Sequence, residues 1–146
     1  MEPLDRVREL VRQDHGLAVV VTQRSDGSPQ TSVVNAGVAD HPGTGEPVVG
    51  FVIRGDTVKH RNLRRRPWAT VVFRVGWEWV AVEGGVDLIG PDDAPDAADV
   101  PQLLRDVFSA AGGTHGDWDE YDRVMAAERR LAVLVRLERV YSNPDS

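Results

Sequence analysis

Short apolar segments separated by turn residues recur along this chain, and this pattern constrains its fold more than any other feature. The segments are rich in valine and other strand-forming residues. Six are present, at residues 17–22, 30–38, 48–54, 68–75, 77–89 and 131–141. Strands and helices do not alternate regularly, which argues against a doubly wound parallel sheet. The pattern predicts a mainly β protein built on an antiparallel barrel, because closure removes exposed strand edges.

Helices are expected at the periphery of this barrel. Apolar residues at helical spacing predict four of them, at residues 4–15, 57–66, 100–111 and 119–130. Either Asp56 or Thr57 is expected to cap the second helix, and Pro67 to end it. An acidic loop is expected at 91–96. No repeat or linker is visible, so we expect residues 1–146 to form a single domain.

Composition excludes several classes of protein. The chain contains no cysteine, which excludes disulfides, thiol catalysis and cysteine-ligated metals. Its four histidines are not at metal-ligand spacing, so no metal site is expected. No apolar run reaches the roughly 18 residues of a membrane span, and the N-terminus does not resemble a signal peptide. We therefore expect a cytoplasmic protein with no membrane partner. No nucleophile motif is present, so the catalytic residues remain unknown.

The charge distribution points to a small anionic ligand. The net charge is −6, which makes a nucleic-acid partner unexpected. Residues 54–66 nevertheless contain six basic residues and one acid, a local charge of +5. Among 17 basic residues in the chain, Lys59 is the single lysine. A compact ammonium differs chemically from the guanidinium fork of arginine, so its retention suggests a specific role.

The corner between the third strand and the second helix is a candidate phosphate site. A helix N-terminus offers free N–H groups and positive potential to an anion. Thr57 can add a hydroxyl, Lys59 and Arg54 can add charge, and Asn62 can reach back one turn. A capped surface helix without a ligand explains the same residues.

Two strands carry further candidate residues. Alternation places Gln30, Ser32 and Val34 on one face of the second strand, either lining a ligand or facing solvent. In the fifth segment, Trp77 and Trp79 are expected to share a face. Two indoles there can flank a planar ring, fill a subunit interface or pack in the core.

Taken together and in order, several segments resemble the split-barrel superfamily typified by pyridoxamine 5′-phosphate oxidase. Within it, the chain is most similar to the branch that binds coenzyme F420. The resemblance extends over nearly the whole chain. It is carried by DGSPQTS at 26–32, KHRNLRRRP at 59–67, GWEWVAVEG at 76–84, DWDEYDRVM at 117–125, ERR at 128–130 and ERVY at 138–141.

The resemblance implies a fold, an assembly and a cofactor. The fold is a six-stranded antiparallel split β-barrel of the FMN-binding type with peripheral helices. Members of the superfamily are homodimers, and each cofactor lies in a groove between the subunits. The cofactor implied here is F420, with FMN as the alternative.

The resemblance also assigns roles to residues. The cofactor phosphate would be held by Lys59, Thr57 and Asn62, with Arg61 nearby. The ring and ribityl chain would lie along Gln30, Ser32, Val34 and Val52. Trp77 and Trp79, together with His115, would come from the partner subunit.

The function implied by the resemblance is an F420H₂-dependent reductase. Such a protein transfers a hydride to an unsaturated small-molecule substrate that is biliverdin-like, quinone-like or xenobiotic. Because the cofactor carries the redox chemistry, this function explains the lack of a catalytic constellation. An FMN-dependent oxidoreductase and a non-catalytic F420-binding protein are the alternatives.

Overall fold

The computed structural model describes residues 2–92 and 99–143 of the chain. The acidic loop expected at 91–96 lies mostly outside these residues. Within them the chain forms four helices and seven strands. In chain order these are α1 (Pro3–Gln13), β1 (Leu17–Gln23), β2 (Pro29–Asp40), β3 (Pro47–Ile53), α2 (Val58–Arg65), β4 (Trp68–Val75), β5 (Glu78–Ile89), α3 (Val100–Ala110), α4 (Trp118–Ala127), β6 (Leu131–Arg136) and β7 (Arg139–Ser142).

Six of the strands close into an antiparallel barrel, as predicted. Their order is β4-β1-β2-β3-β6-β5, and the pairing of β4 with β5 completes the ring. The buried side chains of alternate strand positions fill the interior, with Phe51 and Phe73 as the largest. Helix α1 contributes Val7 and Leu10 to this core, and α2 contributes Leu63. The barrel is therefore packed with side chains and encloses no channel.

The sixth predicted segment is not one strand, which corrects the expectation for 131–141. The segment divides into β6, which pairs with residues 86–89 of β5, and β7, which pairs with residues 80–83. The chain bends between them because the Glu138 carboxylate accepts a hydrogen bond from the Gly85 N–H. At this bend the Arg136 carbonyl approaches Gly84 so closely that an added Cβ would lie 1.8 Å away. Apolar alternation in the sequence does not reveal such a bend.

Helices α3 and α4 cover the outer face of β3 and β6. This layer is a second apolar cluster in which Leu104 and Val107 pack against Leu134. Helix α3 approaches β2 at Gly37, where an added Cβ would lie 2.2 Å from the Ala110 carbonyl oxygen. The close contact of this helix with the sheet therefore depends on the missing side chain at Gly37.

Substituting Gly37 with alanine is expected to destabilise the protein by about 1–3 kcal/mol, because the methyl group must displace helix backbone. Urea denaturation measures the change in the free energy of unfolding. Gly116→Ala is the matched control, since nothing lies within 4 Å of its Cβ position. Equal free energies of unfolding in the two variants would show that the packing of α3 on β2 does not depend on the missing side chain at Gly37.

No helix of the described ranges 2–92 and 99–143 is long and apolar enough to cross a membrane. Among the same residues, no three histidine or acidic side chains converge on a position that could hold a metal ion.

Candidate functional site

A cavity of about 830 Å³ opens where β2 and β3 diverge. The two strands pair only from Ala36 opposite Phe51 to Asp40 opposite Pro47. Before Ala36 on β2 and after Phe51 on β3, the strands separate, and the start of α2 lies beside the gap. Helices α3 and α4 form the far wall. The cavity is lined by His15, Gln30, Val33, Val34, Asn35, Val52, Ile53, Arg54, Thr57, Val58, Lys59, Val107, Phe108, Ala111, Gly112, Gly113, Tyr121, Met125 and Arg130.

The polar wall of the cavity is the corner predicted from the sequence. The structure decides the cap in favour of Thr57, whose hydroxyl oxygen accepts a hydrogen bond from the His60 N–H at 3.2 Å. The same hydroxyl donates to the Arg54 carbonyl, also at 3.2 Å. Asp56, at φ 59°, forms the turn before the helix. The first turn of α2 contains no acidic residue, so the positive potential of the helix start and the N–H groups that Thr57 does not cap are available to an anion.

Lys59 and Arg130 bring two positive charges to the same wall. The Lys59 pKa is lowered from its ordinary value of 10.5, first because burial disfavours the ammonium and second because the Arg130 guanidinium is nearby. Arg130 also pairs with Glu128, at 3.0 Å from Nε to Oε1. Arg54 adds a third cation, and none of the lining residues is acidic. This end of the cavity is therefore suited to an anionic group.

The opposite wall is apolar and aromatic. Val107 and Phe108 of α3 face the cavity together with Tyr121 and Met125 of α4. The Tyr121 hydroxyl donates to the Leu104 carbonyl at 3.1 Å, and burial raises the Tyr121 pKa, so the group stays protonated. The wall offers packing surface to a flat ligand and no group poised for acid–base chemistry.

Half of the residues proposed from the sequence meet at this cavity. They are Gln30, Val34, Val52, Arg54, Thr57 and Lys59. On β2, the side chains of Gln30, Ser32 and Val34 are half-buried. Gln30 and Ser32 lie opposite Thr22 and Val20 of β1, which decides against the solvent-facing alternative. Ser32 shares that face but does not line the cavity.

Two proposed phosphate ligands lie elsewhere. Asn62 is 3% exposed and donates hydrogen bonds to Thr22 Oγ1 at 3.2 Å and Gln30 Oε1 at 3.1 Å. Arg61 pairs with Asp56 at 3.2 Å and lines a separate, smaller cleft. Arg61 follows Lys59 by two residues, about 200° around the helix, so its side chain lies on the other side of α2. Asn62 stands at (i, i+3) from Lys59, but it is buried and its NH₂ group is already bonded to Thr22 and Gln30. A direct phosphate contact by Asn62 or Arg61 is not supported by this geometry.

The three residues assigned to the partner subunit also lie off this cavity. Trp77 is 94% exposed in the turn before β5, so the expected strand face shared with Trp79 is wrong. Trp79 lies within β5, and its ring meets that of Tyr141 edge-on at 6.0 Å. His115 packs beside Tyr121, with ring centroids 5.6 Å apart.

Sequence reasoning did not select Arg130 or the helical wall as parts of the site. Arg130 belongs to the ERR segment at 128–130, so its basic character was visible but its position was not. Phe108 and Tyr121 lie at ordinary core-facing helical spacing. Only the docking of α3 and α4 across the split barrel brings these residues opposite Lys59.

A closed six-stranded barrel whose second and third strands part beside a capped helix defines a split β-barrel protein. A family profile described as pyridoxamine 5′-phosphate oxidase matches residues 4–143, nearly the whole chain. The chain belongs to this family.

Solved structures with the same fold are distant in sequence. A conserved hypothetical protein from Mycobacterium tuberculosis is 17% identical, with a TM-score of 0.68 and coverage of 97% of this chain and 89% of its own. An F420 reductase is 18% identical, with a TM-score of 0.59 and coverage of 86% and 88%. A pyridoxamine 5′-phosphate oxidase-related, FMN-binding protein from Nostoc punctiforme is 15% identical, with a TM-score of 0.61 and coverage of 96% and 79%.

Proposed function

We propose that this protein is an F420H₂-dependent reductase whose cofactor binds in the cavity between β2, β3 and the two covering helices. The observation that carries the proposal is the division of this cavity into a cationic end and an apolar, aromatic wall. Lys59, Arg54 and Arg130 provide three positive charges without an acidic neighbour on the lining. A ligand with a flat ring system and more than one negative charge matches both walls.

The residues present fit such a cofactor. The start of α2 and Lys59 would hold its phosphate, and the other two cations would hold further acidic groups. Gln30, Val34 and Val52 would lie along its ring, with Phe108 on the other side. When bound, the deazaflavin would supply the hydride.

The chain's own residues have a positioning role in this function. The aromatic wall of α3 and α4 excludes water from the ring, and the cationic corner orients the cofactor by its phosphate. The Tyr121 hydroxyl is occupied by the Leu104 carbonyl, so it is not a proton donor to the substrate. The proposed substrate is an unsaturated small molecule of the biliverdin-like, quinone-like or xenobiotic class.

The first experiment is a side-by-side titration of the purified protein with F420 and FMN. We expect tighter binding of F420. Its acidic tail adds negative charges to its phosphate and can pair with all three cations, whereas FMN offers them only a phosphate. Oxidation of F420H₂ in the presence of acceptors then separates a reductase from a protein that only binds F420. Tighter binding of FMN would instead favour the FMN-dependent oxidoreductase, and binding of neither would exclude the proposal.

We further propose that the protein is a homodimer that assembles through the outer face of the barrel. Residues in direct register across five strands form an apolar row there, hereafter the apolar row. It comprises Val33, Val19, Val72, Ala81 and Tyr141. Val33 is 66% exposed and Val19 is 41% exposed. Ala81 is already buried in the single chain, but exposed apolar side chains in direct register, such as Val33 and Val19, are typical of a covered surface. A second copy covers both rows at once.

The lowered Lys59 pKa predicts a pH dependence of anion binding. The Lys59 pKa in the folded protein lies below 10.5, its ordinary value in the unfolded chain. Between these two pKa values, the unfolded state binds more protons than the folded state. Stability attributable to Lys59 therefore rises with pH through that window. A bound anion favours the ammonium, so affinity for inorganic phosphate is expected to fall with rising pH below 10.5. Calorimetric titration should show this alkaline loss in the wild type and not in Lys59→Arg, since arginine stays protonated.

A further inference from the structure

A buried hydrogen-bond network joins the surface of α2 to the cavity. Thr22 and Asn62, 2% and 3% exposed, are the two fully buried polar residues of the described chain. The Asn62 Nδ2 group donates to Thr22 Oγ1 and to Gln30 Oε1, at 3.2 and 3.1 Å. The Thr22 hydroxyl donates to the same Gln30 oxygen at 3.3 Å. Both donors therefore bind the amide oxygen of Gln30, and Gln30 lines the cavity.

At the outer end of this network, Arg65 contacts Asn62 and determines which way the Asn62 amide points. The Arg65 Nη1 group donates to Asn62 Oδ1 at 3.4 Å, across the (i, i+3) spacing that places both residues on one side of α2. A guanidinium has donors and no acceptor, so the Asn62 oxygen must face it. The Asn62 NH₂ group is then turned inward. If the Asn62 amide were reversed, its NH₂ group would face the Arg65 guanidinium, and two donors would meet without an acceptor. Unpaired polar groups are costly inside a buried network.

We propose that Asn62, oriented by Arg65, is a positioning residue that makes Gln30 present its NH₂ group to the cavity. Both hydrogen bonds of the Gln30 oxygen are made inside the protein. Among the described residues, no hydrogen bond is formed by Gln30 Nε2. This inference rests on the proposed function, because the ligand met by Gln30 is the cofactor ring. The site then selects a ring that carries a hydrogen-bond acceptor, such as a ring carbonyl, at this position.

Reversing the charge at Arg65 tests the network. In Arg65→Glu a carboxylate accepts from Asn62, so the Asn62 amide turns over. Gln30 then follows and presents its oxygen to the cavity. Affinity for F420 is expected to be roughly tenfold or more weaker than in Arg66→Glu, because the cofactor loses one hydrogen bond and meets a reversed amide dipole. Arg65→Lys keeps a donor and is expected to restore wild-type affinity.

Arg66→Glu is the matched control for this variant. Arg66 is the next residue, is also exposed, and its guanidinium contacts Gln23 at 3.0 Å instead of Asn62. Both variants change the net charge by the same amount. Affinity for inorganic phosphate should therefore be equal in the two. Equal F420 affinities in Arg65→Glu and Arg66→Glu would overturn the proposal.

A second measurement does not depend on the cofactor. Side-chain amide signals in a ¹⁵N–¹H spectrum, assigned with Gln30→Glu, report which amide protons are hydrogen-bonded. We expect rapid solvent exchange of the Gln30 NH₂ protons in the wild type and slowed exchange in Arg65→Glu. Slow exchange in the wild type would show the opposite orientation and refute the inference. Failure of the wild type to bind F420 or FMN would refute the proposed function alone.

Discussion

Replacing Lys59 with alanine is expected to weaken F420 binding by about 1–3 kcal/mol, roughly 5- to 150-fold in the dissociation constant. The ammonium lies half-buried on the cavity wall beside Arg130, at the first turn of a helix that carries no acidic residue there. Its removal takes away a charge-assisted contact to the cofactor phosphate. Fluorescence titration of F420 measures the change directly.

The stability of the Lys59→Ala variant should hardly change. The Lys59 pKa is lowered by burial and by Arg130, so the folded protein gains little from this charge when no anion is bound. Arg8→Ala is the control for loss of one positive charge, because Arg8 lies on α1 and does not line the cavity. An unchanged dissociation constant in Lys59→Ala would remove the phosphate site from this corner.

Placing a charge on the apolar row is expected to dissociate the dimer. In Val19→Glu a carboxylate within the row would be buried without a partner, at a cost of about 3–5 kcal/mol. The dimer dissociation constant would then rise by more than about 100-fold. Because Val19 is exposed in the single chain, the variant should still fold. Sedimentation equilibrium measures the oligomeric state.

Val124→Glu provides a matched control for this prediction. Val124 is 43% exposed, close to the 41% of Val19, but it lies on α4 and away from the row. We expect this variant to remain dimeric. Trp79→Ala, on the same face as the row, is expected to weaken both dimerisation and F420 binding. A wild-type protein that is a stable, fully active monomer would contradict both expectations.

The barrel could be predicted because its signals are local. Runs such as 17–22 and 68–75 are rich in β-branched residues, and Asp26-Gly27 favours a tight turn. Each signal involves residues within a few positions of one another. The division of the last segment into β6 and β7 could not be predicted, because it depends on a contact between Glu138 and Gly85 that are distant in sequence.

The candidate site was predictable in part for the same reason. Thr57 and Lys59 belong to one helix start, whose preference for anions follows from neighbouring backbone groups. Asn62 was assigned to the phosphate because it can reach back one turn and because of the family resemblance, whereas the structure buries it with hydrogen bonds to Thr22 and Gln30. Trp77 was placed at the start of the fifth strand, whereas in the structure the turn that begins at Gly76, with a φ of 62°, includes Trp77.

The sequence by itself determined the barrel strands, the cationic corner and the peripheral helices, because secondary structure and charge clustering depend on neighbours along the chain. The tertiary structure alone decided that Arg130 stands beside Lys59 and that α3 and α4 face them across the split. It also joined Arg65, Asn62 and Gln30 in one chain of hydrogen bonds. These relationships join residues far apart in the chain, and their distances follow from packing of the whole barrel.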